Sequence, residues 1–292
     1  MPDFPKRRSV IAGLSLAAGA MCVGRATARG MDPIAAIEKR HGGRLGVFAI
    51  DTGSARTLSY RADEQFLMCS TFKGLLAALV LSRVDAGKEH LDRMVSYSAQ
   101  DLIFTSPVTK ANLAHGAMSV SALCDAVLIE SDNTAAILLM KSVGGPAGLT
   151  EFLRSLGDTI TRSDRYEPDS NRQSGVLDTT TPRAIIGSVR KILLADVLSA
   201  ASRARLESGM VACKPGLNRI RAALPISWRA GDRPGTSVEE ETNDYAIVRP
   251  PGRAPLLVAT YLNAPGLAMP AREAVLREAG RVFVQWANDG LQ

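Results

Sequence analysis

The sequence predicts an α/β fold in which an antiparallel sheet of about five strands, built from both chain ends and flanked by helices, joins an all-helical lobe. Strand-like patterns occur near the start of the chain and again near its end, whereas helical periodicity fills the middle. No internal repeat or low-complexity linker separates these parts. Strands from the two ends bury their apolar faces most simply in one sheet. The cleft between the sheet and the helical lobe is then the expected place for an active site.

The strands are predicted from short apolar runs bounded by turn residues. Residues 44–50 and 57–61 flank a turn at residues 51–54, so we expect the exported chain to open with a hairpin. The elements predicted near the C-terminus are strands over residues 227–230, 245–248 and 256–262 and a helix over residues 271–288 that begins after Pro270.

The middle of the chain has helical periodicity from about residue 71 to residue 206, interrupted by a long polar loop over residues 162–178. These patterns define the predicted domain boundaries. A leader covers residues 1–28 and a mature domain covers residues 29–292, with an α/β lobe over residues 29–61 and 214–292 and an all-helical lobe over residues 62–213.

Length and composition indicate an ordinary globular protein. The chain has 292 residues, of which 46% are hydrophobic and 22% are charged, enough for one large domain with a sizeable core. Aromatic residues make up only 5%, and no basic stripe is interleaved with them. We therefore expect no nucleic-acid partner.

The N-terminal segment has the pattern of an export signal. A basic start that includes Arg7-Arg8 precedes an apolar run over residues 10–23, and Ala26 and Ala28 form an A-x-A signal-peptidase site. The arginine pair favours twin-arginine export, with an ordinary Sec signal as the alternative. The apolar run is shorter than the ~20 residues of a membrane span, so we expect a periplasmic protein without one. Cleavage lowers the formal charge from +6 to +3, so half of the basic excess belongs to the signal.

The spacing of cysteine and histidine argues against a metal centre. Cleavage after residue 28 leaves Cys69, Cys124 and Cys213, an odd number that requires at least one free thiol. No C-x-x-C pair occurs, and the three histidines are too scattered for a metal site. We expect neither a metal nor a cofactor.

Ser70 and Lys73 are the first candidate catalytic pair. They lie three residues apart at the head of an apolar run over residues 74–84, so in a helix they share one face. A serine hydroxyl needs a base to become a nucleophile, and lysine is a base only where burial or nearby cations lower its pKa. A polar helix start is the alternative interpretation.

Ser131-Asp132-Asn133 interrupts an apolar helical run. Its plain interpretation is a helix N-cap. As chemistry, the Ser131 hydroxyl would relay a proton to a leaving nitrogen, and the Asn133 amide would hold a substrate carbonyl.

Glu167 and Asn171 lie in the long polar loop. Glu167 is a candidate general base for a water molecule that Asn171 helps to hold, with a solvated loop as the alternative. Arg165 and Asp178 flank this loop, and we expect them to pair across its base.

Arg233-Pro234-Gly235-Thr236 follows a short predicted strand. A Pro-Gly pair beside a cation is by default a turn. As part of a site, Arg233 would supply positive charge near Ser131, and amides of the following strand would face a developing oxyanion.

These motifs in this order resemble the class A serine β-lactamases: S-x-x-K at 70–73, S-D-N at 131–133, E-x-x-x-N at 167–171 and a basic-x-Gly triplet at 233–235. The resemblance covers nearly all of the mature chain. It implies hydrolysis of the β-lactam ring of penicillins and cephalosporins, antibiotic resistance, small-molecule substrates and a monomer. The alternatives are a DD-peptidase of the same superfamily and a non-hydrolytic β-lactam-binding protein. The pair of Glu167 and Asn171 favours the β-lactamase, because DD-peptidases generally lack it.

The resemblance also implies a role for each candidate residue. Ser70 would be the acylated nucleophile, and Lys73 and Glu167 would share the base work of acylation. Ser131 would pass a proton to the β-lactam nitrogen, and Glu167 with Asn171 would activate the deacylating water. The other positions would bind substrate: Asn133 the side-chain amide, the amides of Ser70 and Thr236 the oxyanion, and Arg219, Arg233, Gly235 and Thr236 the carboxylate.

The chain departs from the family pattern within the predicted pocket. Pro234 lacks the usual hydroxyl and also an N–H, so we expect weaker carboxylate binding. Thr105 stands at the position of the usual aromatic gate, with Phe104 beside it. The loop over residues 165–178 is shorter than is common in the family, which predicts room for bulkier cephalosporins.

The cysteines also depart from the family pattern. Ser237 occupies the position of the partner that some relatives bridge to Cys69, and Ala77 occupies that of the usual partner of Cys124. We therefore predict that the three thiols of the mature chain are free.

Overall fold

The computed structural model describes residues 1–3, 32–237 and 239–289. Apart from its first three residues, the predicted leader, with Cys22, lies outside the described residues. In the part of the chain that is described, no helix is both long and apolar enough to cross a membrane.

The main sheet has five antiparallel strands and joins the two ends of the chain, which confirms the predicted fold class. The described residues contain β1 (Arg44–Asp51), β2 (Thr57–Tyr60), β3 (Phe66–Leu67), β4 (Met94–Ser96), β5 (Ala117–Ser119), β6 (Thr179–Thr180), β7 (Arg229–Thr236), β8 (Glu241–Arg249) and β9 (Leu256–Asn263). The main sheet has the order β2-β1-β9-β8-β7, so β7 is an edge strand. Two short ribbons that the sequence did not predict pair β3 with β6 and β4 with β5.

Helices pack against the sheet and fill the middle of the chain. They are α1 (Pro33–His41), α2 (Phe72–Asp85), α3 (Pro107–Ala111), α4 (Val120–Asp125), α5 (Asn133–Ser142), α6 (Gly145–Ser155), α7 (Pro182–Leu194), α8 (Ala200–Val211) and α9 (Met269–Asp289). α1 and α9 bury Ile34 and Leu276 against Leu45 of β1. The final helix is confirmed, with ends within two residues of the prediction.

The prediction that the mature chain opens with a hairpin is wrong, because α1 precedes β1. The Asp32 carboxylate caps this helix by accepting the Ile34 N–H at 2.8 Å, and Pro33 lies in its first turn. β7 and β8 also extend beyond the predicted strands. The predictions followed apolar runs, whereas both strands continue through buried polar residues such as Asp232 and Asp244.

Helix α2 runs through the main core. All of its residues from Phe72 to Leu81 are buried, including Lys73. The core around it includes Phe48 and Tyr261 of the sheet. A helix that is apolar on every side lies inside a protein, so a charged side chain in its first turn is kept from water.

The neighbouring strands β7 and β8 hold a buried acidic pair, Asp232 and Asp244. Asp232 forms an ion pair with Arg221, whereas neither carboxylate oxygen of Asp244 has a hydrogen-bond partner among the described residues. Burial raises the pKa of both carboxyl groups, and the charge of Asp232 raises the pKa of Asp244 further. Arg221 and Arg233 oppose both shifts, and Arg219 opposes that of Asp244, without cancelling them.

The acidic pair predicts a pH-dependent stability that Asp244→Asn should reduce. The folded state keeps protons that an unfolded chain loses above about pH 4, so the free energy of unfolding falls as pH rises. Above about pH 4, the wild type should lose up to about 1.4 kcal/mol per pH unit relative to the variant, until the retained proton dissociates in the folded state. Urea denaturation at several pH values measures this slope. Parallel curves for the two proteins would show that Asp244 adds no extra proton to the folded state.

The three cysteines of the described residues, Cys69, Cys124 and Cys213, are buried and free, as predicted. Burial raises the pKa of each thiol, to about 12 for Cys124 and about 11 for Cys213. Because the thiolate is the reactive form, these groups should be inert in the folded protein.

A protein beginning at Arg29 should therefore react slowly with Ellman's reagent when folded. After denaturation without reductant, all three thiols should react. The measurement is the absorbance of the released thionitrobenzoate per chain. A single reactive thiol after denaturation would reveal a disulfide and refute the prediction.

Candidate active site

Ser70 lines a cleft of about 280 Å³. It lies in a short 3-10 turn, Cys69–Thr71, immediately before α2. Cys69 has a φ of 47°, in the left-handed region that costs free energy for a residue other than glycine. The other residues that line the cleft are Phe104, Thr105, Glu130, Ser131, Asn133, Asn171, Pro215, Pro234, Thr236, Ser237 and Met269.

Strand β7 packs directly against the Ser70 turn at Gly235. A Cβ atom at this position would lie 2.6 Å from the Met68 carbonyl oxygen and 3.1 Å from the Thr71 nitrogen. Only glycine permits this approach. The next residue, Thr236, is thereby held beside the turn that carries Ser70.

The backbone N–H of Thr236 is directed toward the cleft. The N–H of Ser237 donates to the Glu241 carbonyl at 3.1 Å, on the side of β7 that faces β8. Along an antiparallel strand, successive N–H groups point to opposite edges. The N–H of Thr236 therefore points to the free edge, where the predicted oxyanion would lie.

Lys73 is fully buried and joins three of the predicted site segments. Its Nζ donates to the Ser131 carbonyl at 2.8 Å, to Ser131 Oγ at 3.2 Å and to Asn133 Oδ1. It also lies 3.5 Å from Glu167 Oε1. In the described contacts, Lys73 donates to Ser131 and Asn133 and makes no hydrogen bond to Ser70.

Burial lowers the pKa of Lys73 to about 8. The carboxylate of Glu167 opposes this shift, and the buried guanidinium of Arg233 adds to it. A lysine with a pKa of about 8 exchanges a proton readily near neutral pH. Lys73 therefore meets the requirement for acting as a base.

Ser131 is presented by an irregular backbone. It follows a π-helical turn, Ala126–Glu130, and has a φ of 60°. The N-cap interpretation applies to its neighbour, because the Asp132 side chain accepts the Ala135 N–H at 2.9 Å. Asp132 also accepts the backbone N–H groups of Val108 and Thr109 at 2.9 Å each. These bonds fix the segment between Ser131 and Asn133.

Asn133 connects the site to the edge of the cleft. Its Nδ2 donates to the Phe104 carbonyl at 3.1 Å, and its backbone N–H donates to the Thr105 carbonyl at 3.0 Å. Phe104 is 58% exposed and lines the cleft. An aromatic side chain therefore stands at this entrance, one residue before the usual gate position.

Glu167 and Asn171 meet in the polar loop. Asn171 Nδ2 donates to Glu167 Oε2, and the Glu167 side chain is buried beside Lys73. Glu167 Oε1 and Asn171 Oδ1 are buried acceptors without a hydrogen-bond partner among the described residues. This pair is therefore chemically suited to accept the hydrogens of a water molecule.

The predicted pairing of Arg165 with Asp178 is present. Arg165 Nε lies 2.6 Å from Asp178 Oδ2, and Asp178 Oδ1 accepts the backbone N–H groups of Asp164 and Arg165. Arg165 also donates to the Arg172 carbonyl at 2.7 Å. These contacts close the loop that carries Glu167.

Arg233 is fully buried and acts from beneath the cleft. Its Nη1 donates to the carbonyls of Val127 and Leu128 at 3.0 and 2.7 Å, in the turn that leads to Ser131. The side chain therefore ties β7 to the helical part of the chain. Its charge is close enough to lower the pKa of Lys73, whereas direct contact with a substrate carboxylate stays a prediction.

Arg219 is a second buried arginine, and it contacts β7 from the segment before that strand. Its Nη2 donates to Thr236 Oγ1 at 2.6 Å, and its Nη1 donates to the carbonyls of Gly235 and Asn243 at 2.9 Å each. Because the Thr236 hydroxyl accepts from a cation, its own proton is available to an anion in the cleft.

Glu130, Pro215 and Met269 also line the cleft, and no sequence motif predicted them as site residues. Glu130 pairs with Lys214 and immediately precedes Ser131, so its position was the available signal. Pro215 and Met269 carry no chemical motif, and only the chain's path brings them to Thr236.

Comparison with known proteins gives the family. A model of the β-lactamase enzyme family matches residues 31–287. The crystal structure of a β-lactamase from Burkholderia vietnamiensis has 75% identity and a TM-score of 0.87, covering 88% of this chain and 95% of that one. A class A β-lactamase described as the last common ancestor of Gram-negative bacteria has 51% identity and a TM-score of 0.85, covering 87% and 97%. The carbapenem-hydrolysing β-lactamase KPC of Klebsiella oxytoca is 43% identical, covering 87% of each chain.

The chain belongs to the β-lactamase enzyme family. The resemblance to class A serine β-lactamases is confirmed.

Restoring a hydroxyl at position 234 should improve carboxylate binding. Pro234→Thr returns a hydroxyl together with a backbone N–H at the free edge of β7, and one net hydrogen bond to the carboxylate is equivalent to about a fivefold lower KM for a penicillin. kcat should change little, because the contact forms equally in the bound ground state and in the transition state. Steady-state kinetics measure both constants, with the exposed Pro251→Thr as matched control. An unchanged KM in Pro234→Thr would contradict the prediction that the missing hydroxyl weakens carboxylate binding.

Proposed function

We propose that this chain hydrolyses the β-lactam ring of penicillins and cephalosporins through an acyl-enzyme on Ser70, and that it confers resistance to them. The observation that carries the proposal is the position of Lys73 Nζ, 3.2 Å from Ser131 Oγ and 3.5 Å from Glu167 Oε1. Membership of the β-lactamase family supports it.

Acylation begins when Ser70 Oγ attacks the carbonyl carbon of the ring. Lys73 and Glu167 share the removal of the hydroxyl proton, which the lowered pKa of Lys73 assists. The oxyanion that forms is stabilised by the backbone N–H groups of Ser70 and Thr236. A bond forms between Ser70 Oγ and carbon, and the carbon–nitrogen bond of the ring breaks.

The leaving nitrogen then needs a proton. Lys73 donates to Ser131 Oγ, so a proton passes from Lys73 to Ser131 and on to the nitrogen. The buried Arg233 increases the acidity of Lys73 from below, which favours this transfer. Protonation prevents the ring from closing again.

Deacylation uses the opposite side of the site. Glu167 removes a proton from water that Glu167 Oε1 and Asn171 Oδ1 hold, and the hydroxide attacks the ester carbon. The ester bond breaks, and the proton that Glu167 removed from the water passes to Ser70 Oγ, which restores both groups. Asn133 would bind the side-chain amide of the drug, and Thr236 and Arg219 would bind its carboxylate.

The cellular location of the enzyme is proposed from the sequence alone. The predicted leader over residues 1–28 supports export to the periplasm, and its arginine pair favours the twin-arginine route. We expect a monomer without metal or nucleic acid, and the short loop over residues 165–178 supports turnover of bulky cephalosporins.

The decisive test compares nitrocefin turnover by the wild type, Ser70→Ala and Glu167→Ala. Ser70→Ala should lose hydrolysis by at least about a thousandfold and form no adduct. Glu167→Ala should acylate but deacylate slowly, because it lacks the base for the water. Mass spectrometry should then detect a stable adduct of the intact drug only in this variant.

The alternatives give different results. A DD-peptidase would form the stable adduct in the wild type as well, and a binding protein would form none in any of the three proteins. Asp169→Ala is a matched control, because this carboxylate lies on the exposed side of the same loop and should leave turnover unchanged.

A further inference from the structure

One stretch of the cleft wall is apolar. Pro215, Pro234 and Met269 line the cleft together with Thr236. None of these three side chains carries a hydrogen-bond donor. The apolar stretch therefore lies beside the residue that would bind the substrate carboxylate.

Pro234 faces the cleft without disturbing the sheet. The N–H of Ser237 donates to Glu241 across the β7–β8 pair, so positions 236 and 234 turn their nitrogens to the free edge. Proline is tolerated there because no ladder bond is lost. At this position the free edge presents a pyrrolidine ring in place of a donor.

The proline ring is held in a fixed place. Gly216 has a φ of 75°, and a Cβ atom on it would lie 2.7 Å from Pro234 Cβ. The peptide that follows Pro215 therefore packs directly on the Pro234 ring. Met269 begins α9, and its sulfur accepts the Thr242 hydroxyl at 3.9 Å. The apolar wall is built from three separate segments whose backbones are constrained.

The guanidinium of Arg219, which lies beside this wall, already has hydrogen-bond partners in the protein. Arg219 uses its two terminal nitrogens on Thr236 Oγ1 and on the carbonyls of Gly235 and Asn243. An anion in the cleft therefore meets this arginine through the Thr236 hydroxyl. The apolar wall is therefore an uncharged surface beside the position expected for a substrate carboxylate.

We infer that Pro215, Pro234 and Met269 form a binding subsite for an uncharged apolar substituent at C3 of a cephalosporin. This inference rests on the proposed function. In a cephalosporin, C3 is bonded directly to the carboxylate-bearing C4 and can carry a long substituent. In a penicillin, the equivalent neighbour carries only two methyl groups, which cover less of the wall.

The test uses two cephalosporins that share one C7 side chain, one with a methyl group at C3 and one with an uncharged heteroarylthiomethyl group. For each protein, the readout is the ratio of kcat/KM for the large compound to that for the small one. Met269→Ser should lower this ratio by about tenfold, since a group in an apolar pocket discriminates by at least that factor. Met269→Leu should retain the ratio, because it keeps the apolar volume.

Pro234→Thr distinguishes the loss of the subsite from a general distortion of the cleft. It should lower KM for a penicillin while lowering the cephalosporin ratio, whereas a distorted cleft would impair every substrate. Leu217→Ser is the matched control, because Leu217 is 48% exposed, lies on the same segment as Pro215 and does not line the cleft. It should leave both cephalosporins unaffected.

The outcomes distinguish the two proposals. Hydrolysis of both cephalosporins with ratios equal in the wild type, Met269→Ser and Pro234→Thr would overturn the subsite and leave the proposed function intact. Failure of the folded wild type to hydrolyse either cephalosporin or a penicillin would overturn the proposed function itself.

Discussion

The arrangement of the site depends on a lysine ammonium that is held within the buried part of α2, residues Phe72 to Leu81. Removing a charge from water without partners costs several kcal/mol. Lys73 is tolerated because Ser131, Asn133 and Glu167 surround its Nζ. These partners come from two different segments, so satisfying one buried charge also brings them to the nucleophile. The same burial lowers the pKa of Lys73. One feature therefore both gathers these partners around the ammonium and prepares the lysine for proton transfer.

The backbone around this lysine is kept irregular at a cost. Cys69 and Ser131, which lie beside the nucleophile and at the relay position, both have positive φ values. Such conformations persist only where the surroundings determine them. Gly235 packs against the first turn, and the Asp132 carboxylate binds three N–H groups beside the second. Each of these two strained residues lies at or next to a hydroxyl group that the proposed mechanism uses, Ser131 itself and Ser70 beside Cys69.

The sequence was sufficient to predict the candidate catalytic residues, but not all the residues that form the walls of the cleft. Ser70, Lys73, Ser131, Glu167 and Asn171 stand in short motifs whose local spacing already indicates chemistry, and the structure brings them together. Pro215 and Met269 lie far apart in the chain, and only the tertiary path makes them neighbours. The limits of β7 and β8 were missed for a related reason. Buried polar residues such as Asp244 resemble loop residues until the strands around them are known.

Pro234 has a further consequence, which concerns extended peptides. A peptide binds an edge strand by exchanging main-chain hydrogen bonds with every second residue. Along the free edge of β7, Thr236 offers an N–H, but the position two residues earlier offers none. The main-chain donor of this edge that a compact bicyclic substrate would use is the N–H of Thr236. The edge strand therefore disfavours linear main-chain pairing, and the proline makes this cleft a poorer receptor for the peptides on which a DD-peptidase would act.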